Sequence, residues 1–372
     1  MPNLSEYLSG SIENVLFTAY KASLFSFREF IFLKNYIRFN KEAVKQRHAY
    51  EMRGINIPPF LIASISSNCN LFCSGCYARA NKSCGQNPTI NQLSSTRWNE
   101  IFTEAGSLGI NFILLAGGEP LMKRDVIEAA ALRKNIIFPI FTNGTMIDSG
   151  YINLFNRNRN LIPVISMEGD EQQTDSRRGP GVYKAIDGAM NNLKRKRIFY
   201  GVSVTVTKNN ISYVTSSEFV DRLKRNGCKI VFYVEYVPVD NSTVELTLDG
   251  SDRYMLEQRV KTLQREFTKM IFIDFPGDEK YLGGCLAAGR GFFHINAGGS
   301  AEPCPFSPYS DMNLKDHSIL EALSSPLFRK IRESGMLLDE HIGGCLLFQE
   351  QQKIKEMLNE EIITLQSINV LN

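Results

Sequence analysis

Six short apolar runs, Phe60–Ser66, Phe112–Leu115, Ile136–Phe141, Leu161–Met167, Gly201–Val206 and Ile230–Val237, alternate with stretches of helical spacing. That alternation constrains the fold more than any other feature. The runs are rich in Ile, Val and Phe, the pattern of strands buried on both faces. Between them lie Thr96–Ala105, Val126–Lys134, Val182–Leu193 and Tyr213–Arg225, the last ending at Gly227 as a helix C-cap. Strands alternating with helices imply βαβ units and a parallel sheet. Six such units predict an α/β fold built on a partial (β/α)6 TIM-like barrel.

Residues 1–57 read as an N-terminal helical segment, 58–245 as the barrel and 246–274 as a linking helix, whose amphipathic stretch 252–270 is expected to lead out of the barrel. The region Gly283–Cys345 departs from the βα rhythm, so 275–348 reads as a small second unit and 349–372 as a closing helix with a frayed end.

Charge and hydropathy exclude several roles. Residues 1–57 hold eight Lys/Arg against five Glu, which accounts for the whole net charge of +3. The near-neutral remainder has no electrostatic footprint for nucleic acid. No run reaches the roughly 18–20 uncharged apolar residues of a membrane span. The start lacks the basic and apolar regions of a signal peptide, so a cytoplasmic location is expected. In that reducing compartment the eight cysteines read as metal ligands or catalytic groups before disulfides.

Chemistry in parallel α/β folds sits at the carboxyl ends of strands. Cys69–Cys76 follows the first expected strand, Gly117–Pro120 the second and Thr142–Thr145 the third, while Ser166–Gly169 closes the fourth. The segment Asn68–Tyr77 carries the spacing C-x3-C-x2-C at Cys69, Cys73 and Cys76. Three thiolates on one loop can hold three corners of a [4Fe–4S] cube, leaving one iron free to chelate an amino and a carboxylate group. The alternative is a structural zinc site, which needs four closed ligands and has only Cys84 nearby to complete it.

This stretch resembles the signature of the radical S-adenosylmethionine (SAM) superfamily, in particular its members with SPASM or twitch auxiliary domains; Tyr77, directly after the last cysteine, is also common there. The resemblance to the family core covers roughly residues 58–240. Further positions match by motif. Gly117-Gly118-Glu119-Pro120 resembles GGEP, whose backbone receives the SAM amino group, and Thr142-Asn143-Gly144-Thr145 resembles the TNG turn. Ser166-Met167-Glu168-Gly169 resembles the family's S-L/I-D-G strand end, with Ser166 toward the SAM ribose or carboxylate. Asp175–Arg178 resembles D-x-x-R, with Arg178 as carboxylate partner, a geometry that suits a guanidinium fork. GGEP alone is equally an ordinary turn; its company gives it weight.

The resemblance implies reductive cleavage of SAM to methionine and a 5′-deoxyadenosyl radical, which takes hydrogen from an unactivated C–H bond. It also implies a reducing partner such as flavodoxin or ferredoxin. Glu235 lies in the otherwise apolar strand Phe232–Pro238: pointing inward it is a candidate for binding SAM or taking a proton, and pointing outward it is a solvated strand-end carboxylate.

Downstream, Cys285, Gly299 and Cys304 form C-x13-G-x4-C, which looks like the start of a SPASM or twitch domain. The later cysteine block of a full SPASM domain is missing; only Cys345 follows, so one auxiliary [4Fe–4S] cluster is expected on Cys285, Cys304 and Cys345. Its fourth ligand is left open between His294, His341 and an open iron, which would bind substrate or accept an electron from a substrate radical. Cys228 reads as core packing, and Cys84 receives no role.

In the N-terminal segment, Leu16, Tyr20, Leu24, Phe27 and Ile31 follow helical spacing, Phe25, Phe32 and Phe39 recur every seven residues, and Lys21, Arg28, Lys34 and Arg38 are interspersed. Residues 12–39 therefore read either as an interfacial helix making peripheral membrane contact or as a helix packed on the barrel. The substrate stays open among small metabolite, lipid and peptide, although no winged leader-peptide-binding domain is recognisable ahead of the barrel. The reading from another class is a non-catalytic iron–sulfur or zinc protein for electron transfer or scaffolding.

Overall fold

All six expected strands form, joined by three more, in a single sheet ordered β7-β6-β5-β4-β3-β2-β1-β8-β9. They are β1 Phe60–Ser66, β2 Phe112–Gly117, β3 Phe138–Thr142, β4 Leu161–Met167, β5 Gly201–Val206, β6 Ile230–Glu235, β7 Ile271–Phe275, β8 His294–Ile295 and β9 Ala301–Glu302. The computed structural model describes residues 27–85, 91–238, 241–275, 279, 283–338 and 345–359, with positions 10, 13 and 17–19. From β1 to β7 every pairing is parallel and sequential, giving the expected partial barrel.

Two differences from the sequence reading concern the second half. The helix Gly250–Glu266, expected to lead out of the barrel, instead returns the chain to β7, which pairs in parallel with β6. Its capping box at Asp249 starts it, and Leu256, Val260 and Leu263 bury its inner face. The barrel thus has a seventh strand, missed because the short run Ile271–Phe275 carries Asp274. The region after residue 283 packs directly against the barrel. Strand β8 lies parallel to β1, with Ile62 opposite His294, and β9 is antiparallel to β8. Cys285, Cys304, Phe293 and Phe328 share one buried core with the barrel residues Leu61, Leu115 and Ile165.

The expected helix Tyr213–Arg225 is broken into Ile211–Val214 and Ser217–Arg225, because Ser216 caps the second piece by accepting from the Phe219 amide. The long helix Phe27–Glu51 crosses the amino-terminal ends of the strands. Leu33 and Tyr36 are buried there with Ile137, Ile162, Ile230 and Ile271. The Tyr36 hydroxyl donates to the Asn111 carbonyl at 2.7 Å, and Asn111 donates to Asn40 at 2.7 Å. Buried Glu29 pairs with Arg159 and accepts the Phe199 amide. Packing on the barrel is therefore what residues 29–51 do with their apolar positions, Phe32 and Phe39 included, while Ile31 is exposed. Leu16, Tyr20, Leu24 and Phe25 lie outside the described residues, as do residues 360–372 with their expected frayed end. Among the described residues, no helix is long and apolar enough to cross a membrane.

Candidate active site

The carboxyl ends of the strands open into a cavity of about 620 Å³ that extends down the barrel. Cys69, Cys73, Cys76, Tyr77, Gly117, Gly118, Asn143, Ser166, Arg178 and Glu235 all line it. Its deeper wall is apolar, with Phe112, Leu114, Phe141, Val164, Phe232 and Ile273. Phe141 and Phe232 meet edge-on at 5.1 Å.

The cysteine loop is tied to its neighbours on every side. Asn68 accepts the Glu119 amide at 2.7 Å through its carbonyl, and Asn70 accepts from the Asn143 side chain at 2.8 Å while donating to Thr145 at 2.9 Å. From the opposite side, Ser74 donates its amide to the Arg177 carbonyl at 2.8 Å, and the Arg177 guanidinium returns a bond to the Ser74 carbonyl at 3.1 Å. A Cβ at Gly118 would stand 2.2 Å from the Asn68 carbonyl oxygen, so only glycine lets β2 approach this closely.

Glu119 and Pro120, two of the residues expected to face SAM, do not line the cavity. The Glu119 carboxylate is buried and points sideways, accepting from the Leu121 amide at 3.0 Å, the Thr142 hydroxyl at 2.7 Å and the Asn143 amide at 2.8 Å. Burial pushes its carboxyl upward, and these donors pull it back. Its work is to lock the GGEP turn onto the TNG turn. Pro120 opens a short 3₁₀ turn.

Arg178 reaches the cavity but is already anchored. Glu168 Oε1 receives Arg177 at 2.6 Å and Arg178 at 2.6 Å, while its Oε2 has no partner among the described residues. Asp175, the first residue of the D-x-x-R stretch, accepts the Gly181 and Tyr183 amides and caps the following helix. The sequence reading missed Glu168 because it sits where the family pattern has Asp, and its pairing is made only by folding.

Glu235 points inward. It is buried at the end of β6 and accepts from Arg253 Nε at 2.7 Å. Its neighbour Tyr236, also missed, has its hydroxyl buried without a hydrogen-bond partner among the described residues, and it lines the same cavity. A Cβ on Gly75 of the cysteine loop would stand 2.4 Å from that hydroxyl. A buried donor left open at the mouth of a cavity calls for a polar occupant.

Burial raises the Cys69 thiol, and the nearby Cys73 and Cys76 raise it further. Cys84 is buried beside them and hydrogen-bonded to Cys76, which lowers the Cys76 thiol. Among the described residues no group of three Cys, His, Asp or Glu side chains is placed to hold a single metal ion. Three thiols facing one roomy polar mouth suit a larger iron–sulfur cube, so the residues present fit the cofactor expected from the sequence.

A second, smaller cavity abuts the first. Its lining includes Cys285, Cys304 and Cys345 with Glu235, Glu279 and Phe306, and the last three also border the large cavity. Cys304 and Cys345 are hydrogen-bonded to each other. Burial pushes Cys285 and Cys304 well up, so a cationic centre is what would make thiolates of them. Tyr77 and Phe306 meet at a tilt, ring centres 4.9 Å apart, between the two cysteine sets. His294 is no candidate ligand: one ring nitrogen pairs with Glu302 at 2.7 Å and the other with Ser64 at 2.7 Å. His341, Gly343 and Gly344 lie outside the described residues. Cys228 is core, donating to the Ile230 carbonyl at 3.1 Å.

Parallel strands delivering a three-cysteine loop, a glycine turn and an anchored arginine to one mouth define a SAM-dependent iron–sulfur enzyme. The sequence profile of the radical SAM superfamily matches residues 63–216. An AdoMet-dependent heme synthase of Methanosarcina barkeri is 23% identical over 318 residues, 78% of this chain and 88% of that protein. The sporulation killing factor maturation protein SkfB of Bacillus subtilis is 25% identical over 256 residues, 67% of this chain and 60% of that protein. Among solved structures, Streptococcus suis SuiB bound to S-adenosylmethionine superposes with a TM-score of 0.64 at 18% identity, covering 82% of this chain and 74% of that one. Residues 63–216 of this chain are thus a radical SAM domain. The chain is an enzyme whose cofactors are a [4Fe–4S] cluster and SAM.

Proposed function

We propose that this enzyme abstracts hydrogen from a substrate with a substantial apolar surface, using SAM held over the loop Cys69–Cys76, and that it carries one auxiliary cluster. The observation that supports this most is the convergence of Cys69, Cys73, Cys76, Gly117, Gly118, Asn143, Ser166 and Arg178 on one cavity whose deeper wall is aromatic and aliphatic. When bound, the cluster and SAM supply one electron, from a donor such as flavodoxin or ferredoxin, and a 5′-deoxyadenosyl radical that removes a substrate hydrogen, leaving methionine, 5′-deoxyadenosine and a substrate radical.

The chain's residues position and shield. Cys69, Cys73 and Cys76 would hold three irons of the cluster and leave the fourth for SAM. Arg178, held by Glu168, offers its guanidinium to the SAM carboxylate. Asn143 and Ser166 line the space beside it, and Tyr77 closes the side toward Phe306. The helix Phe27–Glu51 seals the amino-terminal end of the barrel, keeping water from that side. Glu235 stands between both cavities, where a carboxylate can take the proton that a substrate radical releases on oxidation; the electron would pass to the auxiliary cluster on Cys285, Cys304 and Cys345.

Anaerobically reconstituted protein reduced with dithionite in the presence of SAM is expected to form 5′-deoxyadenosine, and a Cys73→Ala variant to form none. Deuterium transfer from labelled extracts into 5′-deoxyadenosine would identify the substrate. A Cys304→Ala variant is expected to lose about half of about eight irons per chain. Retention of all of them would remove the auxiliary cluster, and absence of 5′-deoxyadenosine would remove the main reaction.

A further inference from the structure

Three cysteines supply three ligands to a cube with four irons, so the second cysteine set is one donor short. We propose that Glu279 is that fourth ligand, an oxygen donor to the iron that Cys285, Cys304 and Cys345 leave uncovered. The assignment rests on the auxiliary-cluster reading above.

Geometry singles out this carboxylate. Glu279 is buried, lines the small cavity beside all three cysteines, and is hydrogen-bonded to the Cys285 thiol. The Leu286 amide, one residue past Cys285, donates to its Oε1 at 3.3 Å and aims it into the cavity. Among the described residues, Glu279 is the carboxylate bonded to a cysteine of this set. Glu235 lines the same cavity but receives Arg253 at 2.7 Å, and both His294 nitrogens are engaged. With iron present, the Cys285 thiol proton that now joins the two side chains would leave. Sulfur and oxygen would then bind neighbouring corners of one cube.

A carboxylate at this corner has a chemical consequence. Oxygen is a harder donor than thiolate and suits iron–sulfur clusters less well, so it is the ligand most readily exchanged. Glu279 also borders the large cavity. The corner it covers therefore faces the space proposed for substrate, and a substrate bearing an amine, carboxylate or phenolate could take its place.

The test uses the full chain with Cys69, Cys73 and Cys76 replaced by Ala, reconstituted with ⁵⁷Fe and sulfide, so that only the auxiliary site can load. With Glu279 intact, Mössbauer spectra are expected to show about one iron in four distinct from its thiolate-bound neighbours. In Glu279→Gln and Glu279→Ala that distinct iron should change or be lost, with a [3Fe–4S] electron paramagnetic resonance signal after mild oxidation. Glu279→Cys should instead keep four irons of one thiolate-bound type, which separates ligand loss from misfolding. Spectra of the Gln and Ala variants identical to those of the parent would overturn the ligand assignment while leaving the cluster standing. A parent that loads no iron would overturn both.

Discussion

Replacing Glu168 with Gln removes one charge and keeps the shape, and the outcome can be worked through. Glu168 Oε1 is the common anchor for Arg177 and Arg178, whose side chains are 21% and 10% exposed. Removing one partner of a buried pair costs about 3–5 kcal/mol, because the remaining charge is stranded. Arg177 keeps partial access to solvent and two other acceptors, the Ser74 carbonyl and Thr205, which places the cost near the lower end. Unfolding entropy of ~2.1 cal/mol/K per residue over 372 residues turns about 3 kcal/mol into a melting decrease of roughly 4 °C. The functional effect is larger. A freed Arg178 no longer presents its guanidinium, and losing a charge-assisted hydrogen bond of about 1.5–3 kcal/mol weakens SAM binding roughly 10- to 100-fold. Anaerobic equilibrium dialysis with labelled SAM and a thermal melt measure both. A Glu168→Gln protein that melts within about 1 °C of wild type and binds SAM equally well would refute the anchoring argument.

Other outcomes follow from the same structure. Gly118→Ala would push a Cβ to 2.2 Å from the Asn68 carbonyl and should abolish loading of the first cluster, whereas Gly188→Ala, with nothing within 4 Å, should be neutral or stabilise its helix by up to about 1 kcal/mol; iron content and melts distinguish them. Leu33→Ala should cost about 2–5 kcal/mol and Tyr36→Phe about 1–2 kcal/mol in denaturant titrations, with iron content unchanged. Glu235→Gln should slow product formation about 100-fold or more while 5′-deoxyadenosine still forms; unchanged turnover would remove its role as proton acceptor. Cys84→Ala should leave iron loading intact, since Cys84 only hydrogen-bonds Cys76; replacement of iron by zinc, lost in this variant, would instead support a closed four-cysteine site.

Much of this was legible before folding. Strands buried on both faces announce themselves as runs of Ile, Val and Phe, so β1, β4 and β5 have the expected ends. The cysteine spacing and the strand-end motifs locate the mouth because each is a local property of the chain. What stayed hidden depends on contacts between distant segments. Glu119 is read from the motif only through its backbone, and its carboxylate's bonds to Thr142 and Asn143 appear only in the fold. Likewise Tyr236 and Glu279 carry no motif, and Glu168 sits in one at the place of an Asp; all three matter through what the fold puts beside them. Strand β8, only two residues long, has no periodicity to detect, and His294 lost its candidacy to partners 230 and 8 residues away.

The pairing of β8 with β1 bears on how charge would move through this enzyme. The loop Cys69–Cys76 follows β1 directly, and Cys285 and Cys304 flank the β8–β9 pair, so the spacing between these two segments is dictated by sheet register, with Ile62 opposite His294 and Ala63 opposite Ile295. A hinge would let such centres swing apart and gate electron tunnelling by motion. Backbone ladders do not stretch, so an electron passing to the proposed auxiliary cluster would cross a fixed gap, its timing left to potential and to substrate occupancy.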